Sequence, residues 1–316
     1  DISLAELKDL NNPFNTPGYY FTPYNVLNPY QVIQDNLNAY ESERFYGKFQ
    51  LDWEIINDLK FTYRIGLDSS VGYHETGTPN YSALYPNTPN YADELSTMTG
   101  SFSQQTQRRR EINQDFMLSY EKDFNKDFHF NGLVGFNGNE RRYSSHYAAI
   151  TNLTIPTWYN ISNSAGVPSV SQSTWKRRLY GVYAHLEGSY KNQLYLTFEA
   201  RNDWSSTLPA GNRSFFYPGV TASWIFSENF TPELKQVIDF GKFRASWGKT
   251  GNDAAVYMTN SVYGQAVSSS TGWGESAFPF TKVGIDAYTA GNILGSANLS
   301  PEMSTEFEFG LNMAFL

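Results

Sequence analysis

Apolar and polar residues alternate with almost no slip along ERFYGKFQLDWEIINDLKFTYRIGLDSSVGYHE, residues 43–75, with a break at Asn57-Asp58. Phe49, Leu51, Trp53 and Ile55, then Leu59, Phe61, Tyr63, Ile65 and Leu67, form one face; Lys48, Gln50, Asp52, Glu54, Lys60, Thr62, Arg64 and Asp68 form the other. Period two is the signature of a strand with one apolar face, so the stretch predicts two long strands joined by a tight turn. The pattern recurs, giving nine segments in all. Beyond the first two, their apolar faces carry Ile112 to Tyr120, Phe128 to Phe136, Tyr180 to Tyr190, Leu194 to Ala200, Val220 to Phe226, Phe243 to Trp247 and Phe307 to Phe315.

The connections alternate in length. IINDLK, DFNKDF and YKNQLY are tight turns and SENFTPELKQVID is moderately short, whereas residues 74–105, 141–175, 203–217 and 250–301 are expected to be long loops. Long loops at every second connection fit an up-and-down membrane barrel, with short turns at one end and long loops at the other. Aromatic residues fall near both strand ends: Trp53, Tyr120, Phe124, Tyr190, Tyr195 and Phe226 by the short turns, Tyr73, Tyr143, Tyr180 and Trp247 by the long loops. Two such belts suit the two membrane interfaces.

Composition narrows the classes. Aromatic residues make up 17% of the 316 residues and charged ones 17%, below the ~25% charge usual for globular domains, a balance that favours strands. The net charge of −8 argues against a nucleic-acid binder. With no cysteine there is no disulfide, thiolate metal site or catalytic thiol. No apolar run approaches the ~18–20 residues of a membrane helix, and DISLAELKDLNNPF carries no signal-peptide core. A barrel strand needs only about 9–11 residues with every second one apolar, so it escapes that test.

Three stretches carry a family resemblance: YLTFEARNDWSSTLPAGNRSFFYPGVTASWIFSENF (195–230), KFRASWGKTGND (242–253) and LSPEMSTEFEFGLNMAFL (299–316). Arg201, Asp203, Ser205 and Ser206; Tyr217 and Pro218; Ser227 and Glu228; Lys242, Arg244, Ser246, Gly248, Thr250, Gly251 and Asn252; and Leu299, Pro301 and Glu302 follow in the order found in the SusC/RagA family of TonB-linked outer-membrane transporters, which the chain resembles. Trp204 stands where glycine is common in that family. The resemblance implies an all-β fold, a segment of a large antiparallel up-and-down transmembrane β-barrel of 22 strands, as plugged transporters use. It implies the outer membrane of a Gram-negative bacterium, and TonB-dependent import of oligomeric nutrients, glycan or oligopeptide. A SusD-like surface lipoprotein would be a partner, and the TonB complex would engage through a part of the protein outside this chain. On this reading residues 1–40 are an extracellular loop segment and 41–316 about nine barrel strands, with the plug, the TonB box and the C-terminal strands elsewhere.

Catalytic chemistry finds little support. His74, His129, His146 and His185 are scattered without metal-ligand spacing, and no cofactor or nucleophile motif is present, so neither enzyme, cofactor nor metal is expected. Asp203 beside Ser205 and Ser206 has no histidine in pattern. Loop aromatics, Trp158, Tyr159, Trp273, Phe278, Phe280 and Tyr288, are candidates for a substrate vestibule, because such rings stack on sugars or pack peptide side chains. Basic clusters at Arg108–Arg110, Arg141–Arg142 and Lys176–Arg178 are expected at the long-loop rim. Their outward members, Arg108, Arg110, Arg142, Lys176 and Arg178, would meet lipopolysaccharide phosphates, which guanidinium groups bind bidentately. Two other readings stay open: a soluble all-β carbohydrate-binding module that buries the aromatic face, and a passive porin.

Overall fold

The computed structural model describes residues 3–24, 26–88, 94–265 and 288–315. Each predicted segment becomes one strand: β1 (Leu37–Ile56), β2 (Leu59–Thr78), β3 (Ser101–Asp123), β4 (Phe128–Thr151), β5 (Ser169–Tyr190), β6 (Leu194–Ser205), β7 (Ser214–Trp224), β8 (Ile238–Asn252) and β11 (Glu302–Phe315). These form one sheet in chain order, while β9 (Tyr263–Gln265) and β10 (Tyr288–Ala290) pair as a separate hairpin.

Registers match apolar to apolar. Leu194 faces Trp224, Trp224 faces Phe243, and Ala245 faces Phe309. A slip of one residue would turn an entire face over, so the pattern fixes the pairing. The tight turns pass through left-handed backbone: Asp58 sits at φ 71° and Asn192 at 54°, residue types that tolerate it, and Lys191 shares the 54°.

The strands run further than the alternation predicts. The long connections shrink to residues 79–100, 152–168, 206–213 and 253–301. The amino-terminal segment, expected as loop to residue 40, holds short helices at Leu4–Leu7, Pro17–Tyr24 and Pro29–Asp35 before β1 begins at Leu37. β1 to β5 are 20 to 24 residues long, about twice what a membrane strand requires. A hydrogen-bonded ladder needs only backbone, so it continues where the apolar face has stopped.

That stopping point is sharp on the outward face. In β3 it reads Tyr120, Leu118, Phe116, Gln114 and Ile112, then Arg110, Arg108 and Thr106; in β5, Tyr190 to Tyr180, then Arg178, Lys176 and Thr174. The basic residues therefore lie seven to ten residues inside the strands and not at their loop ends, correcting the sequence expectation.

Contacts divide the chain into two compact units. The first comprises Asp1–Tyr46, Asp68–Arg110 and Arg142–Trp175. It has a small apolar core of its own: Tyr81 and Leu95 with Leu27, Tyr85 and Met98, and Phe102, Ile150 and Leu153 with Leu37, Tyr159 and Ile161. Asn28 is fully buried, and its amide donates to the carbonyls of Leu7 (2.9 Å) and Asn15 (3.0 Å), which closes the helical amino-terminal segment. The Tyr159 hydroxyl donates to the Asp35 carbonyl at 2.6 Å and Tyr81 to its carboxylate at 3.3 Å, tying helix to loops. Burial and the neighbouring Asp35 carboxylate push the Tyr81 hydroxyl far above its ordinary pKa.

The second unit comprises Gly47–Leu67, Glu111–Arg141 and Lys176–Leu316. Its large side chains face outward: Phe49 and Trp53 are both 61% exposed. Rings run across four strands on that face, Tyr63 to Phe116 (4.8 Å between centroids), Phe116 to Phe136 (6.3 Å) and Phe136 to Tyr180 (6.1 Å).

Candidate transport surface

The opposite face of the second unit is polar and organised in rows. Glu199 pairs with Gly219, Gly219 with Gly248, and Gly248 with Glu306, so one row across four strands sets two glycines between two carboxylates. Three strand spacings place the two glutamate backbones about 14 Å apart. A groove of about 470 Å³ opens over this glycine floor, bordered by Tyr183, Arg201, Tyr217, Thr221 and Ser246. At one side a His185 ring nitrogen lies 2.9 Å from Glu199, and at the other Arg244 lies 3.6 Å from Glu308. Carboxylates, hydroxyls and phenols around a flat floor can hydrogen-bond a polar chain lying across the strands.

Several family-motif residues fasten the wall, and Arg201, Tyr217 and Pro218 also border the groove. Asp203, only 4% exposed, accepts from Arg201 Nε at 2.8 Å and from the Tyr217 hydroxyl at 2.5 Å. The Arg201 guanidinium also sits 5.5 Å over the Tyr183 ring. Ser206 exchanges backbone and hydroxyl bonds with Arg178, at 2.9 and 2.8 Å. Pro218, which has no N–H, falls where β7 stops pairing with β8, one residue before Gly219. A Cβ at Gly251 would lie 2.6 Å from the Phe215 ring, so glycine is required by close packing. Asn252 faces Glu302 where the β8–β11 ladder begins, directly after Pro301. Gly248 belongs to the groove floor, and Arg244 is linked to the groove through its pairing with Glu308.

Asp253 is the residue that sequence reasoning missed. Its side chain is 3% exposed and takes a bidentate bond from Arg177 (Nε to Oδ2, 2.9 Å), plus bonds from Ser205 and from Thr207 (3.1 Å). Burial alone would raise its pKa, but Arg177, Ser205 and Thr207 together hold the carboxyl below the usual aspartate range. Arg177 faces inward between two outward cations, and the alternation did signal that; its partner lies 76 residues away in sequence. The hydroxyls of Ser205 and Ser206 are thus committed to fastening.

Of the expected vestibule residues, Trp158 is 45% exposed, Tyr159 is bonded to Asp35 and stacked on Phe102 at 6.0 Å, and Tyr288 stands exposed on the β9–β10 hairpin. Trp273, Phe278 and Phe280 lie outside the described residues. Lys176 and Arg178 share Glu140, at 3.1 and 2.7 Å, while Arg108, Arg110 and Arg142 lie on strand segments of the first unit. Among the described residues no cluster of metal-ligating side chains occurs.

A sequence model of the family described as "TonB dependent receptor-like, beta-barrel" matches residues 5–316. The chain belongs to this family. SusC of Bacteroides thetaiotaomicron is 24% identical over 318 residues, covering 96% of this chain. Two TonB-dependent receptors of Formosa agariphila are 24% and 23% identical over 72% and 71% of it. The chain spans only 22% to 28% of the length of these relatives. In structure it resembles the RagAB peptide transporter, with a TM-score of 0.74 and 16% identity, covering 92% of this chain and 30% of that one. The receptor-like barrel segment is therefore SusC/RagA-like and belongs in the outer membrane of a Gram-negative bacterium. This overturns the soluble carbohydrate-binding module, because the aromatic face that module would bury is outward and exposed.

Proposed function

We propose that the chain forms part of the wall of a TonB-dependent importer that carries an oligomeric nutrient, glycan or oligopeptide, past the groove between Glu199 and Glu306. The observation that carries this reading is the glycine-floored groove itself, whose carboxylates, hydroxyls and phenols can hydrogen-bond a polar oligomer lying across the strands. A SusD-like surface lipoprotein would cap the long-loop end, where the first unit's own core gives it a firm platform, and the TonB complex would act through a part of the receptor outside this chain. The test is uptake of labelled maltodextrins and of a tryptic oligopeptide mixture by cells carrying the full-length receptor. Glu199→Gln with Glu306→Gln is expected to lower uptake of one of them about tenfold, equivalent to ~1.4 kcal/mol, with receptor abundance unchanged. Uptake that persists after a protonophore collapses the proton-motive force would instead establish the passive porin.

The outward basic residues support contact with lipopolysaccharide, since they follow directly on the apolar band of their strands. Replacing Arg110 and Arg178 together with alanine is expected to reduce the lipopolysaccharide retained on purification; unaltered retention would refute the contact.

A further inference from the structure

We propose a glycerophospholipid site on the lipid-facing surface at the short-turn end of β5 to β8, with an acyl chain in a transverse groove and the phosphate beside Lys191. The groove follows from register. Gly188 faces Leu196, Leu196 faces Ala222, and Ala222 faces Ala245, so three of the four residues in this row are small. The next row toward the turns is large: Tyr190 faces Leu194, which faces Trp224, which faces Phe243. A row of small side chains bounded by a row of rings leaves a trough of about 620 Å³, within the ~300–1,000 Å³ typical of small-molecule sites.

The chemistry of the trough selects its occupant. The bordering side chains are hydrocarbon and aromatic, and they offer few hydrogen-bonding atoms. The face belongs to the band that meets lipid, so the trough is continuous with the bilayer. At its turn end the Lys191 ammonium sits 5.2 Å over the Tyr190 ring, and the Lys191 N–H is anchored on the Asp127 carbonyl at 2.6 Å. An apolar slot ending in a cation that lies over its last ring is complementary to one acyl chain with its phosphate. The short turns lie opposite the long loops, which on the reading above places the site in the periplasmic leaflet. That favours a glycerophospholipid over lipopolysaccharide.

The test is native mass spectrometry of the full-length receptor, purified from outer membranes in mild detergent and titrated with phosphatidylglycerol, phosphatidylethanolamine or lipopolysaccharide. A Cβ at Gly188 meets nothing within 4 Å, so Gly188→Leu fills the trough without straining the wall. Wild-type receptor should hold one phospholipid that resists delipidation. Gly188→Leu with Ala222→Phe should lose most of it, and Lys191→Gln should weaken retention several-fold. Equal retention by the filled variant and wild type, a statistical spread of adducts in all proteins, or retention of lipopolysaccharide alone would each overturn the proposal. Heat-modifiable gel mobility, read in parallel, separates failure of the site from failure of the membrane reading: a receptor that inserts and folds but holds no phospholipid refutes only the site.

Discussion

Leu51→Arg should cost the barrel about 2–4 kcal/mol, the penalty for a cationic side chain facing lipid near the bilayer midplane. Leu51 stands midway along the outward run from Phe45 to Ile55, one residue type among Phe49, Trp53 and Ile55 that leaves no polar neighbour on that face. An arginine there has to snorkel past two rows of apolar side chains or drag water into the band. Substituting its inward neighbour, Gln50→Arg, places the same charge on the wetted face, beside Asp52, to which Gln50 donates at 2.8 Å, and beside Arg64, which donates to Gln50 at 3.1 Å, a like charge that solvent there screens. Heat-modifiable mobility and urea unfolding of the full-length receptor in bilayers should show a large loss for Leu51→Arg and little for Gln50→Arg. Equal effects would mean that the outward face does not meet lipid.

Arg177→Ala is expected to be the most damaging change on the inward face, costing ~3 kcal/mol, the lower end for breaking a buried charge pair. Asp253 would keep its burial and its two hydroxyl donors but lose the cation that answers its charge. The effect is directional in pH. The native carboxyl is held below its unfolded value of ~3.9. It therefore contributes stability above about pH 4 that is lost as pH falls through the native pKa. Without Arg177 the carboxyl should titrate higher and the loss begin at a less acid pH. Limited proteolysis after Asn252, followed down a pH series, would check both: cleavage should appear in the variant at a pH where wild type is still protected. A variant as resistant as wild type across the series would show that the pair contributes nothing to holding the loop.

Strand count, which face of each strand is apolar and which end carries the short turns were legible in the chain, because period-two contrast is a local property. Phe243, Ala245 and Trp247 declare one face of β8 without reference to any other strand, and Asn57-Asp58 declares its own turn. The SusC/RagA resemblance was equally legible, since its residues are close together in sequence. The upper halves of β1 to β5 were not, because once both faces are polar a strand and a loop have the same composition, and only ladder hydrogen bonds tell them apart. Register was decided by tertiary structure alone. Glu199 and Glu306 are 107 positions apart, and nothing in either segment says that they flank Gly219 and Gly248, or that Gly188 and Ala222 share a trough. The same holds for Arg177 and Asp253: the alternation shows which way the arginine points, but a buried ion pair exists only when two distant segments arrive at one place.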